Sequence, residues 1–295
     1  MTKREAMNTR HKTVLLQETI DGLNLKPGAT VIDSTFGGGG HSLEVCKRFP
    51  KVKIIAFDQD KSVFDNAEGK FKGCDITFVN SNFRNINQEN VDGIIFDLGL
   101  SSDQLESSGR GFSFMKDEPL IMTMKANPTP SDITAKDVVN TWGEESLADI
   151  IYGYGEEKQA RRIAKEIVEF RKKQEIKTTF DLVKIVEQAI PAKFRKGRIH
   201  FATKTFQAIR IAVNDELGAL SEGLDKGFKS LKAEGRMSVI SFHSLEDRVV
   251  KRFFKTKVSE GSARLVNKKV ILASSEELKN NPRSRSAKLR ILEKI

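Results

Sequence analysis

The residues best suited to do chemistry in this sequence are carboxylates that end apolar runs. Asp58 closes the run from Val52 to Phe57, and Asp97 closes the run from Gly93 to Phe96. An acid at the end of a strand stands at the carboxyl edge of a sheet, where open α/β sheets bind ligands. After the second strand of a βαβ unit, such an acid accepts hydrogen bonds from the two hydroxyls of a ribose. Asp58 fits that place better than Asp60, which lies two residues beyond the strand end. Asp97 opens Asp97-Leu-Gly-Leu-Ser-Ser-Asp-Gln104 and would lie beside a bound cofactor. There it could accept an N–H of a target amine and fix its orientation. A plain turn residue next to Gly99 is the competing reading of Asp97.

A glycine run supplies the third feature. Val31-Ile-Asp-Ser-Thr-Phe breaks into Gly37 to Gly40, then His41, ahead of a helical stretch from Ser42. Glycines between a strand and a helix let the backbone approach a ligand closely, and the helix aims free N–H groups at it. Taken alone, the glycines serve equally well as a flexible loop. The third glycine of G-x-G-x-x-G is absent, since Ser42 stands there, and no phosphate-gripping lysine accompanies the run. A nucleoside without phosphate, S-adenosylmethionine, therefore fits better than a dinucleotide. His41 is adjacent to that ligand. His243, an isolated histidine after a late strand, is given at most a place at the substrate edge.

These residues need a scaffold, and the pattern predicts one. Strands are expected at 29–33, 52–57, 76–79 and 93–96, separated by helical stretches, which indicates βαβ units and a parallel sheet. Residues 13–23 read as a helix that ends at Lys26-Pro27-Gly28. From about Ser131 the texture becomes helical. Thr134 reads as an N-cap, and Ala160, Ile163, Ala164, Ile167 and Phe170 recur at helical spacing. Thr179 reads as the next cap, and the segment it opens closes at Pro191. A long helix is expected around 206–231, then a strand at 237–242, a helix capped by Ser244, and a last strand at 290–292.

Over 295 residues, 38% hydrophobic and 31% charged residues describe a soluble globular protein. The first residues are polar and basic without an apolar segment behind them, and no run approaches the roughly 20 residues of a membrane span. The expectation is a cytoplasmic protein with no membrane association. Cys46 and Cys74 are expected as two buried free thiols. The net charge of +10 lies entirely after residue 100, because the first hundred residues balance 13 basic against 13 acidic side chains. Clusters occur at Lys193 to Arg210, among them Arg198, at Lys251 to Lys257, and at Arg283 to Arg290. Such a basic half suggests an anionic macromolecule, nucleic acid first.

Several longer motifs carry a resemblance. His11-Lys-Thr-Val-Leu-Leu-Gln-Glu18, Gly38-Gly-Gly-His-Ser42, Asp97-Leu-Gly-Leu-Ser-Ser102 with Gln104, and Arg110-Gly-Phe-Ser-Phe114 are among them. Tyr154-Gly-Glu-Glu157, Thr205-Phe-Gln-Ala208 with Arg210, Val239-Ile-Ser-Phe-His-Ser-Leu-Glu-Asp-Arg248 and Asn281-Pro-Arg-Ser-Arg-Ser286 complete the set. Together they resemble the bacterial 16S rRNA cytosine-N4 methyltransferase family, from His11 to the C-terminus. The resemblance implies a class I S-adenosylmethionine-dependent methyltransferase fold: Rossmann-like α/β, mostly parallel, with an inserted all-helical domain. It divides the chain into a discontinuous methyltransferase domain at 1–130 and 200–295 and a helical insertion at 131–199 that would recognise substrate.

The implied reaction is methyl transfer to the N4 amine of a cytosine in the decoding region of 16S rRNA. Naked RNA or the assembled small ribosomal subunit could be the partner, and the enzyme could act as a monomer or a homodimer. The resemblance implies cofactor contacts at Gly39, Gly40, His41, Asp58, Phe83, Asp97 and Gln104, with Asp97 catalytic. Phe83 would pack on adenine, although without the family it reads as an ordinary core aromatic. The chain departs from the usual pattern after Phe114. In Asp117-Glu-Pro-Leu-Ile-Met-Thr-Met-Lys125, Glu118 replaces glycine, Ile121 and Lys125 replace acids, and Thr123 replaces arginine. The residues leave two rivals open: a methyltransferase for another amine, on DNA or protein, and an RNA-binding assembly protein without turnover.

Overall fold

Four short strands form one half of a sheet: three apolar runs buried from both sides, as helices on both faces require, and a more exposed strand at the edge. The buried runs are β1 (Thr30–Asp33), β2 (Lys53–Asp58) and β4 (Val91–Asp97), and the edge strand is β3 (Asp75–Asn80). Ile32, Ile54, Ile94 and Ile95 are almost wholly buried. The computed structural model describes residues 12–65, 67–197 and 199–295. Of the residues singled out above, His11 and Arg198 lie outside this range. Three further strands follow, β5 (Leu231–Ser241), β6 (Ala263–Leu265) and β7 (Lys288–Lys294), and the sheet order is β3-β2-β1-β4-β5-β7-β6. The first five strands run parallel, and β7 lies antiparallel to both β5 and β6. This is the expected class I methyltransferase fold.

The chain divides into two compact units. The first holds the sheet, with residues 12–58, 62–99 and 221–295 among those described. Its helices include α1 (Leu16–Leu23) and α2 (Gly40–Arg48). The second comprises residues 59–61 and 100–220 and is helical, and residues 131–199 fall inside it. It contains α3 (Ala135–Thr141), α4 (Glu144–Gly153), α5 (Ala160–Arg171), α6 (Thr179–Ala189) and α7 (Thr203–Asn214). On α5 the buried residues are Ala160, Ile163, Ala164 and Ile167, the i, i+3, i+4, i+7 stripe of an amphipathic helix. They share a core with Leu182, Ile185 and Val186 of α6. Among the described residues, no helix is long and apolar enough to cross a membrane.

Local differences from the sequence reading have local causes. The cap of α6 is Thr178, with Asp181 completing a capping box, and not Thr179. Thr179 is instead buried, with its hydroxyl donated to the Lys116 carbonyl at 2.5 Å. The long helix expected around 206–231 is broken at Asp215, whose φ of 46° ends α7 before α8 (Glu216–Ser230) begins. Cys46 and Cys74 are not free thiols: α2 and the chain entering β3 bring their Cα atoms to 5.8 Å, and they form a disulfide. Both cysteines are only half-buried.

Inside the helical unit, Arg110 and Asp60 form a buried ion pair with Nη2 and Oδ2 2.6 Å apart. Arg110 also donates through Nη1 to the carbonyls of Thr123 and Met124, at 3.2 and 3.0 Å. Removing one member of such a pair strands the other charge out of water, at a cost of about 3–5 kcal/mol. Asp60→Ala is therefore expected to lower the stability of the helical unit by about that much. A urea titration followed by a probe in that unit, with an unchanged midpoint as the contrary result, measures it.

Candidate active site

The sheet order explains which residues meet. Because β4 lies between β1 and β5, the carboxyl ends of these three strands are adjacent. They carry Asp33, Asp97 and, just beyond β5, the start of α9 (Ser244–Ser259). The ends are tied together by the Asp97 N–H, which donates to Thr35 Oγ1 at 2.6 Å, and by the Leu98 N–H, which donates to the Ile240 carbonyl at 3.0 Å. Three carboxyl groups converge here: Asp33, Asp97 and Glu246.

Each acid is held differently. Asp33 is buried and accepts the Ser42 hydroxyl at 2.6 Å and the Thr35 N–H at 3.3 Å. Burial outweighs these donors and pushes its pKa up to about 6. Glu246 is buried at the N-terminus of α9, and its Oε2 accepts the N–H groups of Phe242 and His243 at 2.8 and 3.3 Å. His243, not Ser244, is the cap of α9: its Nδ1 accepts the Glu246 N–H at 3.4 Å. The proton of a neutral imidazole then sits on Nε2, which lies 3.2 Å from Glu246 Oε1. Asp97 has no such set of donors. Its Oδ1 is shielded from solvent without a hydrogen-bond partner, and Oδ2 lies 3.7 Å from Nδ1 of the buried His41. Its pKa is raised well above the ordinary carboxylate range, first by burial and then by the charges of Asp33 and Glu246.

The glycine turn sits beside this cluster along the same chain. Gly39 has φ of +74°, and a Cβ there would meet the Phe36 ring at 2.6 Å. A Cβ on Gly40 would fall 1.8 Å from Thr13 Oγ1. Both positions thus exclude any side chain, and α2 starts immediately after them. Asp58, at the end of β2, accepts the Gly37 N–H at 2.8 Å through Oδ2, which links the acid to the turn. Asp60 is committed to Arg110, so the choice between the two acids is physical. Phe83 is half-buried and meets Phe96 edge-on, with ring centroids 5.6 Å apart. Gln104 belongs to the helical unit, where its Oε1 accepts the Ser101 N–H at 3.0 Å.

Sequence reasoning therefore singled out Asp97, His41, Gly39, Gly40 and Asp58, which the sheet unit gathers at one edge. It passed over Asp33 and Glu246. The signal for Glu246 was present: an acid three residues after a strand-end polar residue is a capping-box partner. Asp33 was counted only as the end of a strand. The group as a whole is rich in carboxyls, so it suits a cationic ligand, and the uncommitted Oδ1 of Asp97 suits an N–H donor.

A model of the MraW methylase family matches residues 8–295. A protein from Lactobacillus johnsonii named ribosomal RNA small subunit methyltransferase H is 43% identical over 318 residues, covering 98% of this chain and 100% of its own. A protein of the same name from Brevibacillus brevis is 43% identical over 314 residues, covering 98% and 99%. Among solved structures, an rRNA methylase from Streptococcus thermophilus aligns over 97% of this chain and 99% of its own, with a TM-score of 0.47 and 10% identity.

The raised pKa of Asp33 has a consequence for stability. The folded chain holds this proton up to about pH 6, whereas an ordinary aspartate releases it near 3.8. Its contribution is complete below pH 3.8 and is lost as pH rises to about 6. Asp33→Asn has no charge to bury and can still bond Ser42 and Thr35. Its stability relative to the native chain should improve by up to about 3 kcal/mol between pH 4 and pH 7. Denaturant melts of both proteins across that range test this, and a pH-independent difference would contradict it.

Proposed function

The chain belongs to the MraW methylase family, and from that footing we propose that it transfers a methyl group from S-adenosylmethionine to the N4 amine of a cytosine in 16S rRNA. The observation that carries the reading is Asp97, a half-buried strand-end carboxyl with one solvent-shielded oxygen uncommitted, beside two further acids. The near full-length identity to proteins named small subunit rRNA methyltransferase supports the substrate class.

The site fits the cofactor chemically. Its sulfonium is a cation, and the cluster of Asp33, Asp97 and Glu246 lacks one. Gly39 and Gly40 carry the turn from β1 into α2 without side chains, their Cβ positions being filled by Phe36 and Thr13, and His41 follows them beside Asp97. Asp58 would accept the ribose hydroxyls, and Phe83 would offer a face or edge to adenine. When bound, S-adenosylmethionine supplies an electrophilic methyl group.

The residues do the rest by positioning and electrostatics. A cytosine N4 is a weak nucleophile because its lone pair is shared with the ring. A carboxylate that accepts one N4–H favours the form in which the lone pair points at the methyl. Asp97, rooted in β4 by its backbone bond to Thr35, is the group for that task, and it is the stronger acceptor when ionised. His41 lies on the Oδ2 side of the same carboxyl, with Nδ1 3.7 Å away. The target base must leave its stack to reach the site, and the basic residues of the second half of the chain would hold the RNA backbone. Such a substrate implies a cytoplasmic location and the small ribosomal subunit, or its RNA, as partner.

Because burial and neighbouring acids raise the pKa of Asp97, methyl transfer should fall on the acid side as this group takes up a proton. Asp97→Asn should lower kcat by about 100-fold or more, leave cofactor affinity within a few-fold, and abolish that acid limb. Labelled-methyl transfer to small subunits, naked rRNA, DNA and protein, followed by mass mapping of N4-methylcytosine, measures both the activity and its target. Full transfer by Asp97→Asn would remove Asp97 from the mechanism.

A further inference from the structure

The sheet unit contains a cavity that plays no part in the chemistry above. It is about 250 Å³ in volume and lies between the second half of α9 and the strands β6 and β7. Its floor is apolar, made by Phe254, Val258, Leu265 and Ile291. Val258 and Leu265 remain 38% and 42% exposed, so the floor is open to a ligand. Its rim is cationic, with Lys251 and Lys255 one helical turn apart on α9 and Lys268 opposite them.

Several cations of this region are compensated by an acid, whereas the three rim lysines are not. Arg290 and Lys288 pair with Asp247, Arg264 and Arg236 with Glu293, and Lys257 with Glu260. Lys251, Lys255 and Lys268 are exposed and form no ion pair among the described residues. Three uncompensated positive charges around one apolar cleft disfavour one another and favour an anion. The only polar side chain on the wall without charge is Asn267, and it is already used. Its Oδ1 accepts the Ile291 N–H at 2.8 Å, and its Nδ2 donates to the Lys269 carbonyl at 2.7 Å. The cleft can therefore hold a flat ring but has little with which to read the ring's edge.

We propose that this cleft docks a single-stranded segment of the ribosomal RNA substrate, away from the target cytosine and without regard to sequence. One unstacked base lies on Val258, Leu265 and Ile291, and the phosphates on either side meet Lys251, Lys255 and Lys268. The volume suits one ring system, since it falls just below the roughly 300 Å³ at which drug-sized pockets begin. The inference rests on the rRNA methyltransferase reading for the identity of the polyanion, whereas the cleft and its charges stand apart from Asp97.

The test is a triple variant, Lys251→Ala/Lys255→Ala/Lys268→Ala, whose exposed side chains can be shortened without touching the core. Binding of a fluorescent single-stranded RNA is titrated from low to moderate salt, and methyl transfer to small-subunit rRNA is followed by KM and kcat. Three lost phosphate contacts should reduce the slope of log K against log salt by about 2, and binding near 0.1 M salt should weaken by about 10- to 100-fold. KM for RNA should rise while kcat at saturating RNA and cofactor affinity hold. Leu265→Glu, which charges the floor and leaves the rim intact, should weaken RNA binding in the same direction. An unchanged salt slope and KM in the triple variant would overturn the proposal while leaving the methyltransferase reading intact. So would a variant that loses binding to polyglutamate but not to RNA. If the native protein binds RNA with the lysine-dependent slope yet methylates no cytosine, the cleft stands and the functional reading falls.

Discussion

The site rests on three carboxyl groups drawn together at one edge of a parallel sheet, Asp33 and Glu246 buried and Asp97 with one oxygen shielded from solvent. Asp33 and Glu246 raise the cost of ionising Asp97, and each of the three acids is held differently. Glu246 is met by two backbone N–H groups at a helix start, the most favourable place for an anion in a protein. Asp33 has a hydroxyl and one N–H and sits near neutrality. Asp97 has neither, so the uncompensated electrostatic demand of the cluster falls on it. A site built this way prefers a cation and an N–H donor to water.

Topology makes that gathering possible. Asp33 and Asp97 are far apart in the chain and Glu246 is farther still, yet β1, β4 and β5 are consecutive in the sheet. Parallel pairing then brings all three carboxyl ends to one side, with Asp33 beside Ile95 and Asp97 beside Ile240. The glycine turn is a product of the same geometry. The chain leaving β1 must reverse into α2 within a few residues, and the space at Gly39 and Gly40 is already occupied by Phe36 and Thr13. Side chains there are excluded by the protein itself as well as by any ligand.

Much of this was legible in the sequence because it depends on short-range signals. Apolar runs ending in Asp33, Asp58 and Asp97 mark β1, β2 and β4 directly, and the stripe on α5 is visible as helical spacing. What was not legible depends on which neighbour a side chain finds. Thr178 and Thr179 are equally good cap residues in isolation, and only the hydroxyl bond of Thr179 to Lys116 decides between them. Asp58 and Asp60 were separable in principle, but the reason, an arginine at position 110, is distant in the chain. Cys46 and Cys74 show no spacing motif, and their approach follows from where α2 and β3 lie. Glu246 was hidden because its role is shared between capping a helix and charging Asp97.

The segment that departs from the family pattern gains a structural account from the same logic of partners. Glu118 accepts the Gly111 N–H at 2.9 Å, and its own N–H donates to Thr179 Oγ1 at 3.1 Å. Lys125, where an acid is usual, pairs with Asp132. Thr123 is buried and lends its carbonyl to Arg110. The two charges this segment gains relative to the family pattern, Glu118 and Lys125, each have a partner within the helical unit. A substitution compensated by a local neighbour changes how the unit is held together without adding or removing charge at the acid cluster of the sheet. Ile121 is the exception, since an apolar side chain in place of an acid forms no such pair, and its backbone instead accepts the Ala135 N–H at the start of α3. The departures therefore bear on the internal architecture of the helical unit, whereas the charges that act on Asp97 are Asp33 and Glu246 of the sheet unit.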